Sequence, residues 1–196
     1  GGFHTLNGDP NVAKLQAYTI DLYDELEKIS GEKCGLHLTG GVALAENNDR
    51  LEWLKMSHAR GRYLGMETEI ISVAEAKELL PLLEEEYFVG AMWDPVEGHL
   101  DPYATTNACA KSAKIGGAEI ELQCKVESLE WDATKGVWIV TTNKGTMTAE
   151  HVVNAGGLWA REVGRMVGIE LPVLAMEHHY LLTEAMPEVA EINKST

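Results

Sequence analysis

The sequence predicts an α/β fold in which α and β elements are mixed and one stretch is purely antiparallel. Residues 11–30 carry apolar side chains at three- and four-residue steps, which is the period of an amphipathic helix. After residue 118 the period changes to two, and the turn sequences DATKG and NKG divide residues 125–149 into a three-stranded meander. The stretch EHVVNAGGLWAREVG (150–164) then joins β-branched residues to a helical segment through a glycine pair. These observations favour a strand–turn–helix unit of a parallel sheet beside an antiparallel excursion.

Cap residues bound the predicted helices. Ser72 and Glu75 form a capping-box pattern, in which the hydroxyl and the carboxylate satisfy free backbone N–H groups. Asp101 is a natural N-cap, and Pro102 suits the first helical position because its ring fixes φ. We expect five helices: residues 11–30 ended by Gly31, a helix capped by Asn48 or Asp49 that runs to about Tyr63, one from Ser72 to Pro81, one from Asp101 to Gly116, and one from Ala160 to Val167 ended by Gly168.

Short apolar or alternating runs predict the strands. GGVALAE (40–46) is bounded by a glycine pair, and EYFVGAMWDP (86–95) ends at Asp-Pro. The meander strands are expected at 125–131, 136–142 and 146–149. Further strands are expected at 118–120, at 152–153 and over VLAMEHHYLLTE (173–184).

The charge of the chain limits its partners. The sequence holds 31 acidic and 16 basic side chains, for a net charge of -15, so its field repels phosphate backbones and anionic headgroups. No apolar run approaches the roughly 18 residues that a membrane span needs. We therefore expect neither nucleic-acid binding nor membrane insertion. The three cysteines lack C-x-x-C spacing, which predicts a reducing compartment and no metal site.

The glycine pair Gly156-Gly157 has two interpretations. Glycine lacks the Cβ that would hold a ligand away from the backbone, so this pattern is typical of cofactor contact in α/β sheets. A strand-to-helix turn also uses glycine for geometry alone, and these glycines do not form G-x-G-x-x-G. The residues by themselves leave both interpretations open.

Four motifs carry a resemblance to a known family: GHLDPY (98–103), KVESL (125–129), VVNAGGLWAREVGRMVG (152–168) and PVLAMEHHYLLT (172–183). In this order and spacing they resemble the dimethylglycine and sarcosine dehydrogenase branch of the D-amino-acid-oxidase-like flavoproteins. The resemblance implies part of a glutathione-reductase-type FAD-binding domain with its meander, and part of an antiparallel-sheet substrate domain. It assigns residues 1–35 and 100–168 to the FAD-binding domain, and residues 36–99 and 169–196 to the substrate domain.

The resemblance implies FAD as cofactor and names residues that hold it. Val126 matches the family residue whose backbone meets the adenine ring, residues Ala155, Gly156 and Gly157 match the turn against the dinucleotide, and Trp159 matches the aromatic beside it. Core packing is the alternative interpretation of Val126 and Trp159, since valine and tryptophan are usually buried.

Gly1 and Gly2 resemble the segment that follows a Trp-His pair, whose histidine carries the flavin covalently in the family. That pair and the G-x-G-x-x-G loop for the pyrophosphate are not in this sequence, which therefore resembles an internal fragment. Because the main anion-binding loop is missing, we expect this chain to be inactive and to bind FAD weakly or not at all.

His178 and Tyr180 are two residues apart on a predicted strand, so they share one face. The resemblance places the histidine near the substrate side of the flavin, where it can orient or deprotonate an amine, which is common work for a histidine in enzymes. A histidine hydrogen-bonded within a sheet is the alternative interpretation.

The implied activity is oxidation of an N-methyl group of a methylated glycine, either dimethylglycine or sarcosine, by hydride transfer to FAD. The implied electron acceptor is a protein or oxygen, and the longer protein could use tetrahydrofolate. Two alternatives stay open: a regulatory subunit similar to that of pyruvate dehydrogenase phosphatase, and an oxidase of another secondary amine or amino acid. We expect the bacterial cytoplasm or the mitochondrial matrix as location.

Overall fold

The chain forms two compact units, Gly1–Ile120 and a unit that begins at Glu121. The computed structural model describes residues 1–195, with side chains described for residues 1–192. Helices alternate with antiparallel sheets, which confirms the mixed α and β fold. The predicted division into FAD-binding and substrate segments stays a prediction, because compactness does not identify the residues that hold a cofactor.

The first unit contains nine α-helices and β-strands and one short 3-10 helix (Glu85–Tyr87). The α-helices and β-strands are, in chain order, β1 (Gly2–Phe3), α1 (Pro10–Ser30), β2 (Gly41–Ala45), α2 (Asn48–Tyr63), β3 (Glu69–Ile71), α3 (Val73–Leu79), β4 (Gly90–Asp94), β5 (Gly98–His99) and α4 (Pro102–Ile115). β1 pairs with β5, and a second antiparallel sheet has the order β2-β4-β3. α1 packs against α4.

Buried side chains lie on both faces of the sheet β2-β4-β3, because successive residues of a strand point to opposite faces. α2 covers one face, where Leu54 is fully buried and packs with Ala45 and Met92. α3 and the segment after it cover the other face, whose buried residues are Ile71, Ala76, Leu83 and Ala91.

Side-chain bonds to the backbone fix the starts of the helices. The N–H of Glu75 donates to Ser72 Oγ at 3.2 Å and the N–H of Ser72 donates to Glu75 Oε2 at 2.7 Å, which confirms the capping box. The carboxylate of Asp101 accepts two backbone N–H groups at 2.9 and 3.0 Å, as predicted. For α2 the predicted cap lies too late along the chain, since Asn47 Oδ1 accepts the N–H of Arg50 at 2.8 Å.

The second unit is built on the predicted meander. β6 (Val126–Asp132), β7 (Val137–Thr142) and β8 (Gly145–Ala149) pair antiparallel in chain order, which confirms that prediction. α5 (Ala160–Arg165) follows and is shorter than predicted, while α6 (Pro187–Ser195) lies in a region for which no helix was predicted. Gly168 has a φ of 77°, in the left-handed region expected of a glycine after a helix.

Three predicted strands are wrong: residues 118–120, 152–153 and 173–184 are not in strands. A strand forms its backbone hydrogen bonds with a neighbouring strand and not within itself. No strand among residues 1–195 pairs with these segments. The apolar pattern of these segments therefore predicts strands, but residues 1–195 contain no neighbouring strand to pair with them.

Candidate cofactor-binding site

A turn braced by Asn154 carries the predicted dinucleotide contacts. The N–H of Gly156 donates to Asn154 Oδ1 at 3.1 Å, and Asn154 Nδ2 donates to the carbonyl of Ala160 at 2.8 Å. One side chain thus joins the start of the turn to the start of α5. Asn154 was not among the predicted site residues, although an asparagine two positions before a glycine is a recognised turn signal.

The backbone of the turn is open to a ligand. Ala155 and Gly157 are exposed, Gly156 is half-buried, and Trp159 is 69% exposed. Gly157 has a φ of 54° and a Cβ there would meet nothing within 4 Å, so glycine serves conformation. At Gly156 a Cβ would lie 3.1 Å from Asn154 Oδ1 and 3.2 Å from the N of Ala160, so glycine allows close packing. The exposure of Trp159 is inconsistent with simple core packing.

Glu170 holds the end of α5 in place. Its carboxylate accepts from Arg161 Nε at 2.5 Å and from Arg165 Nε and Nη2 at 2.8 Å each. Hydrogen bonds from Arg165 and then Arg161 lower the pKa of Glu170 to about 2. Gly164 lies in the same small assembly, where a Cβ would approach the carbonyl oxygen of Ile169 to 2.9 Å.

An apolar hollow of about 380 Å³ lies between the meander and α5 in the second unit. Asn154 and Gly164 line it, together with apolar side chains of the meander, of α5 and of the residues after α5, among them Leu129, Trp138, Val163 and Leu171. The braced turn therefore borders a space that is apolar on most sides.

Val126 begins β6 opposite Thr142, and the pairing register shifts between Val126 and Ser128. Its side chain is half-buried. An irregular register at a strand end changes which backbone groups the ladder uses. This position is compatible with backbone contact to a ligand, and the predicted contact with adenine stays a prediction.

Gly1 and Gly2 lie in the first unit. The amino group of Gly1 donates to the carbonyl of Leu100 at 2.6 Å, and Gly2 pairs with His99 in the β1–β5 ladder. The predicted cofactor residues are therefore distributed between the two units.

Histidines near this ladder form contacts that were not predicted from the sequence. The rings of His37 and His99 stack with their centroids 4.9 Å apart, and the two residues exchange backbone hydrogen bonds of 2.9 and 3.0 Å. His4 Nδ1 lies 3.0 Å from Glu97 Oε1. These residues are far apart in the sequence, so only the strand register brings them together.

His178 and Tyr180 lie in an exposed segment without regular structure. Tyr180 is 86% exposed, and the neighbouring His179 lies 3.9 Å from the carboxylate of Glu177. Because the predicted strand is not formed, no sheet fixes the two side chains on one face. Their predicted catalytic roles stay predictions.

Cys34 is fully buried in the first unit, and burial raises the pKa of its thiol. It is therefore protonated and shielded at neutral pH. Among the side chains that the structure describes, no three or more of His, Cys, Asp and Glu are grouped in a way that could hold a metal ion. No helix in this part of the chain is long and apolar enough to cross a membrane.

The sequence profile of the family described as DAO, FAD dependent oxidoreductase, matches residues 1–195. The chain belongs to this family. The sequence-based prediction of the family is confirmed. The open glycine turn therefore lies in a member of a flavoprotein family.

Several relatives of this family member resemble it over most of its length. Mitochondrial dimethylglycine dehydrogenase of Rattus norvegicus is 34% identical over 94% of this chain and 21% of that protein. Mitochondrial sarcosine dehydrogenase of Homo sapiens is 35% identical over 82% of this chain and 18% of that protein. The mitochondrial pyruvate dehydrogenase phosphatase regulatory subunit of Mus musculus is 34% identical, over 93% of this chain and 21% of that protein. The chain spans about a fifth of the length of these relatives.

A solved structure has the same fold. The crystal structure of L-proline dehydrogenase from P. horikoshii matches with a TM-score of 0.75 and 26% identity, covering 86% of this chain and 44% of that chain. The structural similarity agrees with the family assignment from the sequence. This member of the FAD-dependent oxidoreductase family has part of a flavoprotein fold.

Proposed function

We propose that the protein to which this chain belongs uses FAD to oxidise an N-methyl group of dimethylglycine or sarcosine. The observation that carries the proposal is the 34% identity to dimethylglycine dehydrogenase over 94% of this chain, which includes the braced glycine turn. Membership of an FAD-dependent oxidoreductase family supports the cofactor. The mitochondrial names of the relatives support a mitochondrial matrix location, with the bacterial cytoplasm as the alternative.

In this proposal the braced turn lies along the dinucleotide. Ala155 and Gly157 are exposed and Gly156 is half-buried, so the backbone of the turn can approach a phosphate or ribose, and Trp159 offers an exposed ring to pack beside it. Val126 supplies a backbone contact to the adenine. When bound, the flavin supplies the acceptor for the hydride of the substrate carbon.

His178 orients the substrate amine or removes its proton, and Tyr180 contributes to the same substrate region. A histidine before Gly1 in a longer chain would carry the flavin covalently, with Gly1 and Gly2 following the attachment. Electron transfer onward to a protein or to oxygen, and use of tetrahydrofolate, belong to the same proposal.

Two other functions have support. The identity of 34% to a pyruvate dehydrogenase phosphatase regulatory subunit favours a protein that retains this fold in a regulatory role. The fold of L-proline dehydrogenase favours an enzyme for another secondary amine.

Assays of the full-length protein with dimethylglycine, sarcosine and L-proline, and with a dye as electron acceptor, distinguish these functions. We expect turnover of a methylated glycine. The substitution His178→Asn should lower kcat about a hundredfold, because a positioned general base contributes about that much, while His179→Asn should leave kcat close to the wild-type value. Bound FAD without turnover of either methylated glycine would contradict the substrate assignment.

The chain of 196 residues provides a second test. Because its sequence has no G-x-G-x-x-G loop for the pyrophosphate, we expect little or no binding when FAD is added and flavin fluorescence is followed. Saturable micromolar binding would contradict this expectation without affecting the proposed reaction.

A further inference from the structure

We propose that the exposed side of α2 is a docking surface for an acidic segment of a partner protein that carries an apolar side chain among its carboxylates. The surface, called the α2 stripe, consists of Arg50, Trp53, Met56, Arg60 and Tyr63. These residues are three or four positions apart and follow one side of the helix. The proposal does not depend on the oxidation of an amine.

The α2 helix is basic within an acidic chain. Its 16 residues hold four of the 16 basic side chains of the chain and only two of the 31 acidic ones. One of these acids, Glu52, already pairs with Lys55 at 2.7 Å. The other, Asp49, lies in the first turn, where a carboxylate interacts favourably with the helix N-terminus. A carboxylate-bearing partner would therefore meet a locally positive side of a molecule that is negative elsewhere.

Arg50 makes no ion pair with the side chains of residues 1–192, although acids outnumber bases about two to one in the chain. By contrast, Arg161 and Arg165 both bind Glu170. The guanidinium of Arg50 lies 4.0 Å from the centre of the Trp53 ring. Stacking on Trp53 covers one face of the guanidinium but leaves its N–H groups available to donate hydrogen bonds. The planar arrangement of these N–H groups matches the two oxygens of a carboxylate.

Arg60 is fixed in a similar way. Its Nε and Nη2 donate to the carbonyl of Gly8 at 3.2 and 3.1 Å, and its guanidinium lies 5.4 Å from the centre of the Tyr63 ring. Two arginines on one side of a helix are thus held in place before a partner arrives, and each retains donors. Less side-chain entropy is lost on binding when the side chains are already ordered.

An apolar anchor has a place beside these charges. A hollow of about 350 Å³ lies between α2 and the loop 6–8, lined by Trp53, Met56, Ser57 and Arg60. Trp53 is 45% exposed, Met56 65% and Tyr63 79%. Trp, Tyr, Met and Arg are the residue types enriched in protein interfaces. The hollow favours a protein segment, because lipid headgroups and nucleic acid present a broad anionic surface that the rest of the chain repels.

A short fluorescent peptide of alternating glutamate and leucine tests the surface. Fluorescence anisotropy should show saturable binding to the chain at low ionic strength, and the binding should weaken as salt screens the charges. The substitutions Arg50→Glu and Trp53→Ala should each weaken binding about tenfold or more, since interface tryptophans and arginines carry such effects. Lys114→Glu is the matched control, because it makes the same charge change at an exposed position of α4 and should leave binding unchanged.

Circular dichroism and unfolding curves identify any variant that has lost its fold. No saturable binding of the peptide to the wild-type chain would overturn the proposal. Equal losses in Arg50→Glu and Lys114→Glu would overturn it as well, because they would indicate a general charge effect. Sedimentation should show a monomer; a dimer that Arg50→Glu dissociates would assign the stripe to a second copy of the chain. Binding to vesicles of anionic lipid that depends on Arg50 would assign it to a membrane and would also contradict the proposal.

Discussion

The braced turn at residues 154–159 and the segment at residues 171–186 both contain residues of the predicted site. They differ in how firmly the structure holds them. The turn is held by the two hydrogen bonds of Asn154 and followed by a helix that Glu170 fixes. The later segment contains several large apolar side chains, yet Leu174, Tyr180 and Leu181 are each at least 79% exposed. Hydrogen bonds between residues close in the sequence hold the first region, whereas no strand of the described residues pairs with the second.

The largest expected effect comes from a pair of leucine substitutions that compares the later segment with a buried position in the core of the first unit. Leu54 is fully buried against the sheet, so Leu54→Ala should lower the free energy of unfolding by about 2–5 kcal/mol through lost contacts and a cavity. Leu181 is 86% exposed, so Leu181→Ala should change it by less than about 0.5 kcal/mol. Urea unfolding followed by circular dichroism measures both. A large loss in Leu181→Ala would show that the segment packs in solution.

The packing behind the turn is the next test. In Gly164→Ala the new methyl group would lie 2.9 Å from the carbonyl oxygen of Ile169 and 3.2 Å from Leu171, so we expect a loss of about 1–3 kcal/mol. Gly8→Ala is the control, since a Cβ there meets nothing within 4 Å. An unchanged unfolding curve for Gly164→Ala would mean that residues 169–171 do not hold this position.

The brace itself should have a smaller effect. Asn154→Ala removes two hydrogen bonds at an exposed position, so we expect a loss of about 1 kcal/mol and faster hydrogen exchange at Gly156. Asn107→Ala removes a single bond to the carbonyl of Tyr103 within α4 and serves as control, because alanine has the higher helix propensity. Equal exchange rates at Gly156 in both variants would contradict the bracing role.

Local chemistry explains which parts of the fold the sequence predicts. The capping box at Ser72, the N-cap at Asp101 and the meander all depend on residues near one another in the chain, and all are confirmed. The strand over 173–184 has the right apolar pattern but depends on hydrogen bonds from another strand, which no pattern within the segment can supply. The short ladder between β1 and β5 was missed for the related reason that two-residue strands carry almost no periodicity.

For the candidate site, residue patterns predicted the glycine turn but left its role open, and only the ordered family motifs connected it with FAD. Asn154 could have been found from its spacing to Gly156. The stacking of His37 on His99 could not, because it depends on a strand register between residues 62 positions apart. The sequence left open whether Trp159 packs in the core or contacts a ligand. Its exposure in the structure argues against core packing.

Glu170 lies at the end of the region that contains the braced turn and α5. Its ionisation should have the smallest and most local effect of the changes considered. The guanidinium groups of Arg165 and Arg161 lower its pKa from 4.5 to about 2. A carboxyl group whose pKa is lower in the folded state adds stability above its unfolded pKa, and loses it as pH falls through the folded value. The end of α5 should therefore become less protected between about pH 4.5 and pH 2, and carboxyl chemical shifts should place the midpoint near 2.

Arg165→Ala should raise that midpoint more than Arg161→Ala, because Arg165 makes the larger contribution. Glu170→Gln should remove the pH dependence at α5, and a wild-type midpoint near 4.5 would show that residues up to 170 are as loosely held as the segment that follows.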